Sequence, residues 1–369
     1  MKKNSYILIL IFSLILILPI LDSAFHFSPI KELFEKRQPT SKPQFSWNKE
    51  IIINYPKNFE KFYDDNFGFR KTLIYLHSQI MDKVFDESPS EQAVIGKNDW
   101  LFFNNNQSLI DVEGRVIYNQ TLLDKGIEAL YQNWKNLKKN NIDYVLVIAA
   151  DKSTIYPEFL PDYIHPNGPS RLDQFLTRLN KLHPDFPIID LRKSMLAAKN
   201  KQEIYYKTDT HWNKIGAYYG YLGVMNFLAK KHPELKPKSL NQFTQKIGDE
   251  KQGDIADIMN LKIFDVEHDL IPKNSFGYKD ITADKDKKEF HKPNFFIHKN
   301  KNLPILFSYK DSFMDNLMYF VSDHFSKSYY INEFPCNINA NFIAKYQANI
   351  VIQEMWEGRM EEVLKSCSY

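Results

Sequence analysis

The apolar positions of this 369-residue chain follow two alternating patterns. Short, nearly continuous apolar runs are typical of strands that a parallel sheet buries on both faces. They occur at residues 143–150 (DYVLVIAA), 187–191 (PIIDL), 304–308 (PILFS), 328–332 (SYYIN) and 348–354 (ANIVIQE). Helical spacing predicts helices over residues 121–140, with Thr121 as N-cap, and over 170–183, 213–231 and 313–325. Alternating strands and helices imply an α/β fold with a parallel sheet flanked by helices.

The N-terminus carries the longest apolar run, residues 6–21, directly after Lys2 and Lys3. This arrangement is typical of an export signal. Asp22 stands where a cleavable signal needs a small neutral residue, so we expect an uncleaved anchor over residues 1–27. The leading lysines place the N-terminus in the cytoplasm and the rest of the chain in the periplasm, or outside the cell. A removed signal peptide is the alternative.

Residues 28–55 contain three prolines among polar residues, which predicts a linker between the anchor and a domain over residues 56–369. Residues 56–81 suggest two helices with a turn at Gly68, and residues 93–103 suggest a hairpin. Residues 234–302 interrupt the strand–helix alternation with strand-like pieces such as residues 294–298. We expect a β-rich insertion there, with the charge run at 284–288 in a solvated loop.

Composition excludes some classes of protein. The 48 Lys and Arg nearly balance the 45 Asp and Glu, which argues against nucleic-acid binding. Cys336 and Cys367 are the only cysteines, too few for a disulfide scaffold and without the spacing of a zinc site. Whether they pair remains open at this stage. We expect Trp100 and Trp212 to be packing residues rather than sugar platforms.

The candidate chemistry lies in two short segments. Asp209 and His211 belong to the segment YYKTDTHWN at residues 205–213, just before a predicted helix. Ser312 lies where the strand at 304–308 gives way to the next helix, and parallel topology brings both junctions to one sheet edge. A serine becomes nucleophilic when an imidazole removes its proton and a carboxylate orients that imidazole. We therefore predict Ser312 as nucleophile, His211 as base and Asp209 as the residue that orients it.

Simpler interpretations remain for each residue. Asp209 or Thr210, and Asp311 or Ser312, could cap the helices that follow them. A metal site is disfavoured because Asp209 and His211 have no third ligand at a useful spacing, and no cofactor is expected. Three further residues at the same predicted edge are candidates for substrate binding: Lys152, Tyr156 and Lys310.

From about residue 55 to 365 the chain resembles the SGNH-hydrolase-like proteins of the alginate O-acetyltransferase type. The matching motifs are NFGFR at 66–70, IGKNDWLF at 95–102, DKSTIYPE at 151–158, TDTHWN at 208–213, GDIADIM at 253–259 and KDSF at 310–313. The order of Asp209, His211 and Ser312 is also that of the family. Lys310 replaces the family's glycine before the Asp–Ser pair, which weakens an assignment to alginate itself.

The resemblance implies a flavodoxin-like SGNH core and transfer of acetyl groups onto a secreted polysaccharide. It also implies an acyl donor supplied through a membrane-bound O-acyltransferase. We see no carbohydrate-binding module after the domain, so we expect a short, single-pass member anchored in the inner membrane. Two alternatives remain: an acetyl esterase with the same triad, and a non-catalytic periplasmic protein that binds glycan.

Overall fold

The structure is a computed structural model that describes residues 2–30, 39–105, 107–282 and 293–367. The chain divides into two compact units. Unit 1 comprises Met1–Val94 and Asp254–Ile263, and unit 2 comprises Ile95–Gly253 and Phe264–Tyr369. The predicted solvated loop at 284–288 and residues 31–38 of the predicted linker lie outside the described residues.

Unit 1 is helical. Its helices are α1 (Lys2–Phe25), α2 (Lys49–Asn66), α3 (Arg70–Ile80) and α10 (Asp254–Met259). Within α1, Ser5–Phe25 has a mean hydropathy of 2.6 and is long and apolar enough to cross a membrane. Two helices flank the turn at Gly68, as predicted. However, residues 49–55 of the predicted linker are helical, because the Asn48 side chain accepts the Glu50 N–H and starts α2 there.

Unit 2 carries the α/β part of the chain. Its helices are α4 (Ser108–Val112), α5 (Gln120–Lys139), α6 (Lys152–Ile155), α7 (Arg171–Leu182), α8 (Arg192–Lys199), α9 (Lys214–Leu228), α11 (Met314–Ser322), α12 (Ala340–Lys345) and α13 (Met360–Ser366). Its strands are β2 (Leu101–Phe103), β3 (Asp143–Ala149), β4 (Ile188–Asp190), β5 (Phe243–Gln252), β6 (Phe264–Pro272), β7 (Tyr278–Asp280), β8 (Asn294–His298), β9 (Ile305–Tyr309), β10 (Lys327–Ile331) and β11 (Ile350–Trp356). The hairpin predicted over 93–103 is confirmed, since β1 (Ala93–Ile95) pairs with β2.

Seven strands form the central sheet in the order β4-β3-β11-β9-β10-β8-β7. The pairs from β4 to β10 are parallel, as predicted from their apolar runs. Strand β3 belongs to the core, and its residues from Tyr144 to Ala149 are buried. One face of α5 packs against it, with Ile127, Leu130 and Leu137. The N-cap of α5 is Asn119 rather than the predicted Thr121, because the Asn119 carboxamide accepts the Thr121 and Leu122 N–H groups.

The sheet has an antiparallel edge that the prediction of a parallel sheet missed. Strand β8 pairs antiparallel with β10, and β7 pairs antiparallel with β8. In β8, Phe296 and His298 are buried whereas Ile297 between them is 41% exposed. One buried and one solvated face is the pattern of antiparallel strands. The predicted insertion therefore supplies two strands of the main sheet, and separately a ribbon in which β5 pairs with β6.

Candidate active site

The turn after β9 carries Ser312 at the carboxyl edge of the sheet. The Asp311 carboxylate shapes this turn, accepting the Phe313 N–H at 2.9 Å and the Trp356 N–H at 2.7 Å. The Ser312 hydroxyl does not cap α11, and the side chain is exposed at the start of that helix. The N-cap of α11 is Phe313, with no side-chain hydrogen bond, so neither Asp311 nor Ser312 is the N-cap of this helix. The turn therefore leaves the Ser312 hydroxyl to other partners.

A second turn, at residues 205–213, carries Asp209 and His211. The Asp209 carboxylate accepts the His211 main-chain N–H at 3.0 Å, which folds the segment back on itself. Asn213 caps α9 through the Ile215 and Gly216 N–H groups, so neither Asp209 nor Thr210 is its N-cap. The structure thus ties the Asp209 carboxylate to the histidine residue rather than to a helix end.

Gly253 lets the chain pass close to this second turn. A Cβ atom at residue 253 would lie 2.3 Å from the Thr208 carbonyl carbon and 2.4 Å from the Asp209 nitrogen. The Gly253 N–H also donates to the Thr208 hydroxyl at 3.1 Å. Only glycine fits so close to another main chain. This accounts for the glycine of the GDIADIM motif without any chemical role.

The two turns bring the three predicted triad side chains into one hydrogen-bonded row. The distance between His211 Nε2 and Ser312 Oγ is 2.7 Å, and that between His211 Nδ1 and Asp209 Oδ1 is also 2.7 Å. The side chains of His211 and Asp209 are 24% and 10% exposed. An ionised Asp209 accepts the Nδ1–H, which leaves the Nε2 lone pair directed at the serine hydroxyl. This geometry permits proton transfer from the Ser312 hydroxyl to the imidazole.

The charge on Asp209 is stabilised although the residue is buried. Burial alone would raise its pKa, but the hydrogen bond and positive charge of His211, together with the charge of Lys251, hold the pKa of Asp209 well below its usual value. The Lys251 ammonium lies 3.8 Å from the second Asp209 oxygen, and 4.3 Å from the centre of the Tyr206 ring. Asp209 is therefore a carboxylate at neutral pH.

Buried acids lie behind both turns. Burial raises the pKa of Glu354 well above its usual value, with the nearby Asp311 charge adding to the effect, and Glu354 accepts the Asp311 N–H at 3.1 Å. Burial, with the charge of Asp151, raises the pKa of Glu357 to about 8. Asp151 in turn accepts the indole N–H of Trp356 at 2.8 Å. Glu354 thus holds the main chain of the Ser312 turn from the buried side.

The three predicted substrate-binding residues are used inside the protein. Lys152 is 3% exposed, and its ammonium donates to the carbonyls of Tyr206, Lys207 and Asp209. The Tyr156 hydroxyl accepts the Ile204 N–H, and Lys310 pairs with Asp315 from a side chain that is 5% exposed. The three side chains thus have partners inside the protein, and their contact with substrate stays a prediction.

Unit 2 also contains a group of side chains with metal-ligand chemistry. The carboxylates of Glu203 and Asp265 and a ring nitrogen of His268 lie within 4.8 Å of one another. One Asp265 oxygen is already engaged by the Lys207 N–H at 2.6 Å. Sequence spacing did not predict this group, because residues 203 and 265 are far apart along the chain.

Similarity to known proteins shows the family of this chain. The model of the family "SGNH hydrolase-like domain, acetyltransferase AlgX" matches residues 93–287, slightly more than half of the chain. The chain belongs to this AlgX family. The resemblance expected from the motifs is thereby confirmed. The match includes Asp209 and His211 but ends before Ser312, so the nucleophile assignment depends on the geometry alone.

Several relatives of this AlgX-family chain carry the name probable alginate O-acetylase AlgJ. The protein from Pseudomonas syringae pv. tomato is 29% identical over 182 residues, which cover 47% of this chain and 43% of the relative. That from Pseudomonas aeruginosa is 28% identical over 163 residues, covering 43% of this chain and 38% of the relative. The alignments thus span less than half the length of these relatives.

Two solved structures have a similar fold. Bacillus cereus PatB1 superposes with a TM-score of 0.54 at 16% identity, covering 73% of this chain and 98% of that chain. A DHHW family protein from Eubacterium siraeum superposes with a TM-score of 0.51 at 19% identity, covering 74% of this chain and 97% of that one. At such identities the similarity concerns the fold alone.

Two residues that shape the site were missed from the sequence of this AlgX-family chain. Lys251 lies in the lysine-rich predicted insertion, where nothing distinguished it from its neighbours. Trp212 was expected only to pack, and at 0% exposure it does, as does Trp100 at 2%. Its indole N–H additionally donates to the Phe313 carbonyl. A buried tryptophan needs a hydrogen-bond partner, which was the available signal.

Proposed function

We propose that this protein is an O-acetyltransferase that moves acetyl groups through an acetyl–Ser312 intermediate onto hydroxyl groups of a secreted or cell-surface polysaccharide. The observation that carries the proposal is the row Asp209–His211–Ser312, with 2.7 Å at each step. Membership of the AlgX family supports acetyl transfer as the reaction class. The names of the AlgJ relatives support a polysaccharide as acceptor.

The reaction follows from the roles of the three side chains. His211 Nε2 takes the Ser312 proton as Oγ attacks the acetyl carbonyl of the donor, and returns that proton to the leaving group as the donor bond breaks. A sugar hydroxyl then loses its proton to Nε2 and attacks the acetyl–serine, and the proton passes to the departing Ser312 Oγ. Each attack places a negative charge on the acetyl oxygen, forming an oxyanion. The Ser312 N–H has no acceptor among the described residues, and it would donate to this oxyanion and stabilise it.

The cellular setting is part of the proposal. Helix α1 would remain as a single-pass anchor in the inner membrane, with the domain expected over residues 56–369 in the periplasm. A membrane-bound O-acyltransferase would deliver the acetyl group. The disulfide between Cys336 and Cys367 supports an oxidising compartment.

The main rival is an acetyl esterase, which the exposure of Ser312 to water favours. The two functions separate when the full chain in detergent receives a chromogenic acetyl ester with and without an oligosaccharide. Acetylated sugar together with acetyl on Ser312, detected by mass spectrometry, is the expected result. Free acetate alone would identify an esterase. If neither product forms, the protein would be a non-catalytic glycan-binding protein.

The decisive variant is Ser312→Ala. It should lower acetyl transfer about 10³-fold or more, because a triad acts as a unit. Ser366→Ala, at an exposed serine of α13, is the matched control and should transfer at the wild-type rate. Near-normal transfer by the Ser312 variant would disprove the proposed nucleophile.

A further inference from the structure

A groove of about 490 Å³ in unit 2 is lined by residues of α9, β6 and α11, the two helices that follow the His211 and Ser312 turns in sequence. Asn316 and Tyr319 line it and follow Ser312 by four and seven residues, a spacing that continues one side of a helix. Lys214, three residues after His211, lines it from the start of α9. The Asn316 carboxamide donates to the Trp212 carbonyl at 3.5 Å, so one lining residue of the groove contacts the residue next to His211.

The groove has one apolar surface and one polar surface. Tyr319 is 41% exposed and Phe320 beneath it is 4% exposed, and Phe276 packs edge-on against Phe320 at 6.2 Å between ring centres. The polar side consists of Asn316 and the ion pair between Lys214 and Asp269. Aromatic faces beside fixed hydrogen-bonding groups suit a pyranose ring, which has apolar C–H faces and a rim of hydroxyls.

The charges around the groove oppose an acidic sugar. The Lys214 ammonium, besides its Asp269 partner, lies 3.8 Å from a Glu267 oxygen. The Lys251 ammonium lies 3.8 Å from the other Glu267 oxygen and 3.8 Å from Asp209. Of these groups, Lys214 and Asp269 line the groove, and they pair with each other. The lining ammonium is thus already paired, and a sugar carboxylate entering the groove would have to compete with Asp269 for it.

Resting on the proposed acetyl transfer, we propose that this groove binds the acceptor and selects a neutral oligosaccharide over a polyuronate such as alginate. Tyr319 is the platform for one sugar ring, and Asn316, Lys214 and Asp269 hydrogen-bond its hydroxyls. The bound ring then holds a hydroxyl near His211, which accepts its proton as the acetyl group leaves Ser312. The specificity differs from that in the names of the AlgJ relatives.

Two probes that differ at a single substituent of each sugar ring test this selection. β-1,4-Mannopentaose and β-1,4-pentamannuronate have the same backbone, with CH₂OH in one and carboxylate in the other. Calorimetric binding to the full-length Ser312→Ala chain in detergent should favour mannopentaose by at least about tenfold. Equal or tighter binding of pentamannuronate, or binding of neither sugar, would overturn the inference.

Variants identify the groove as the place of binding. Tyr319→Ala should weaken mannopentaose binding about tenfold, and Tyr319→Phe should weaken it less because the ring remains. The double change Glu267→Gln with Asp269→Asn should bring the two sugars closer in affinity. Tyr163→Ala, at a tyrosine 70% exposed and outside the groove, is the control. Unchanged binding by Tyr319→Ala would show that the sugar binds elsewhere.

Binding separates this inference from the proposed function. If mannopentaose binds selectively but the chain with intact Ser312 releases only free acetate, the groove assignment stands and acetyl transfer fails. If both pentasaccharides are acetylated at Ser312-dependent rates without preference, transfer stands and the selection for neutral sugars fails.

Discussion

The Trp212 indole donates its N–H to the main-chain carbonyl of Phe313 at 3.0 Å. This buried bond joins the residue after His211 to the residue after Ser312, across 101 positions of sequence. The Trp212 and Phe313 rings also meet edge-on, with 5.1 Å between their centres. The separation of the imidazole and the serine hydroxyl is therefore fixed by their neighbours as well as by their own hydrogen bond.

Trp212→Phe tests this coupling because it keeps an aromatic ring and removes the N–H donor. The unpaired Phe313 carbonyl should lower the free energy of unfolding by about 1–3 kcal/mol. Turnover of an acetyl ester should fall on the order of tenfold, since small displacements in an active site slow the reaction. Trp47→Phe, at a tryptophan 88% exposed in unit 1, is the control. Wild-type turnover with reduced stability would make Trp212 a packing residue alone.

Asp209→Asn separates orientation of the imidazole from binding. The carboxamide keeps the size of the side chain but lacks the charge that stabilises the imidazolium, so kcat should fall about 10²–10⁴-fold. The KM for a small acetyl ester should change much less, because Asp209 is 10% exposed and behind the histidine. Steady-state kinetics on Asp209→Asn and on the exposed control Asp185→Asn provide the measurement. Equal kcat values for the two variants would disprove the orienting role.

Much of this site could be predicted because the rules that apply to it are local. Each turn follows a recognisable strand or precedes a recognisable helix, and parallel topology brings such junctions to one edge. The direction of a long side chain follows no such rule. Lys152 was expected to face substrate, but the loop at residues 206–209 presents three carbonyls to its ammonium inside the protein.

The antiparallel edge and the groove depend on distant pairing, which local patterns do not encode. Residues 294–298 show a strand-like composition, but only their pairing with β10 makes them part of the main sheet. Likewise Asp269 and Lys214 meet across 55 positions of sequence. Helices α12 and α13 were missed because they are six and seven residues long, too short for a clear helical period.

Glu357 should make the stability of the protein depend on pH. Burial raises its pKa to about 8, whereas an unfolded glutamate titrates near 4.3. Between these values the folded state holds a proton that the unfolded state has released, so stability falls as pH rises, by up to about 1.4 kcal/mol per pH unit. Glu357→Gln has no proton to release and so removes this loss of stability. The unfolding free energy of the variant, relative to the wild type, should be unchanged at about pH 4 and most increased above about pH 8.

Urea unfolding of the full chain in detergent at several pH values measures this gain. Glu60→Gln, at an exposed glutamate of α2, is the control and should follow the wild type throughout. A gain for the Glu357 variant that is independent of pH would mean that packing, and not titration, is responsible.

The disulfide between Cys336 and Cys367 ties the end of α13 to the segment before α12, closing a loop with a sequence separation of 31. A loop of this length should contribute about 3–4 kcal/mol by restricting the unfolded chain. The double variant Cys336→Ala with Cys367→Ala should lose that stability, as should the wild type in reductant. Equal midpoints of unfolding for the oxidised and reduced wild type would contradict the prediction.

The Asp22 carboxylate, directly after the apolar run of α1, joins two segments of unit 1. Its two carboxylate oxygens accept the Ser28 and Phe69 N–H groups, each at 2.7 Å, which joins the end of α1 to the turn before α3. The same turn approaches α1 so closely that a Cβ at Gly68 would lie 2.0 Å from the Pro19 carbonyl oxygen. The end of α1 is thus part of the packing of unit 1, and we predict that this helix is retained in the mature protein.

Mass spectrometry of the protein isolated from membranes should therefore find residues 1–25 still attached, whereas a mature chain that begins after Asp22 would show that the signal is removed. Asp22→Ala and Gly68→Ala should each loosen the contact and make residues 39–94 more sensitive to protease, since one loses two hydrogen bonds and the other forces two main chains apart. Asp64→Ala, at an exposed aspartate of α2, should digest at the wild-type rate. If all three variants resist protease equally, the contact between Asp22 and the Gly68 turn contributes little to the stability of unit 1.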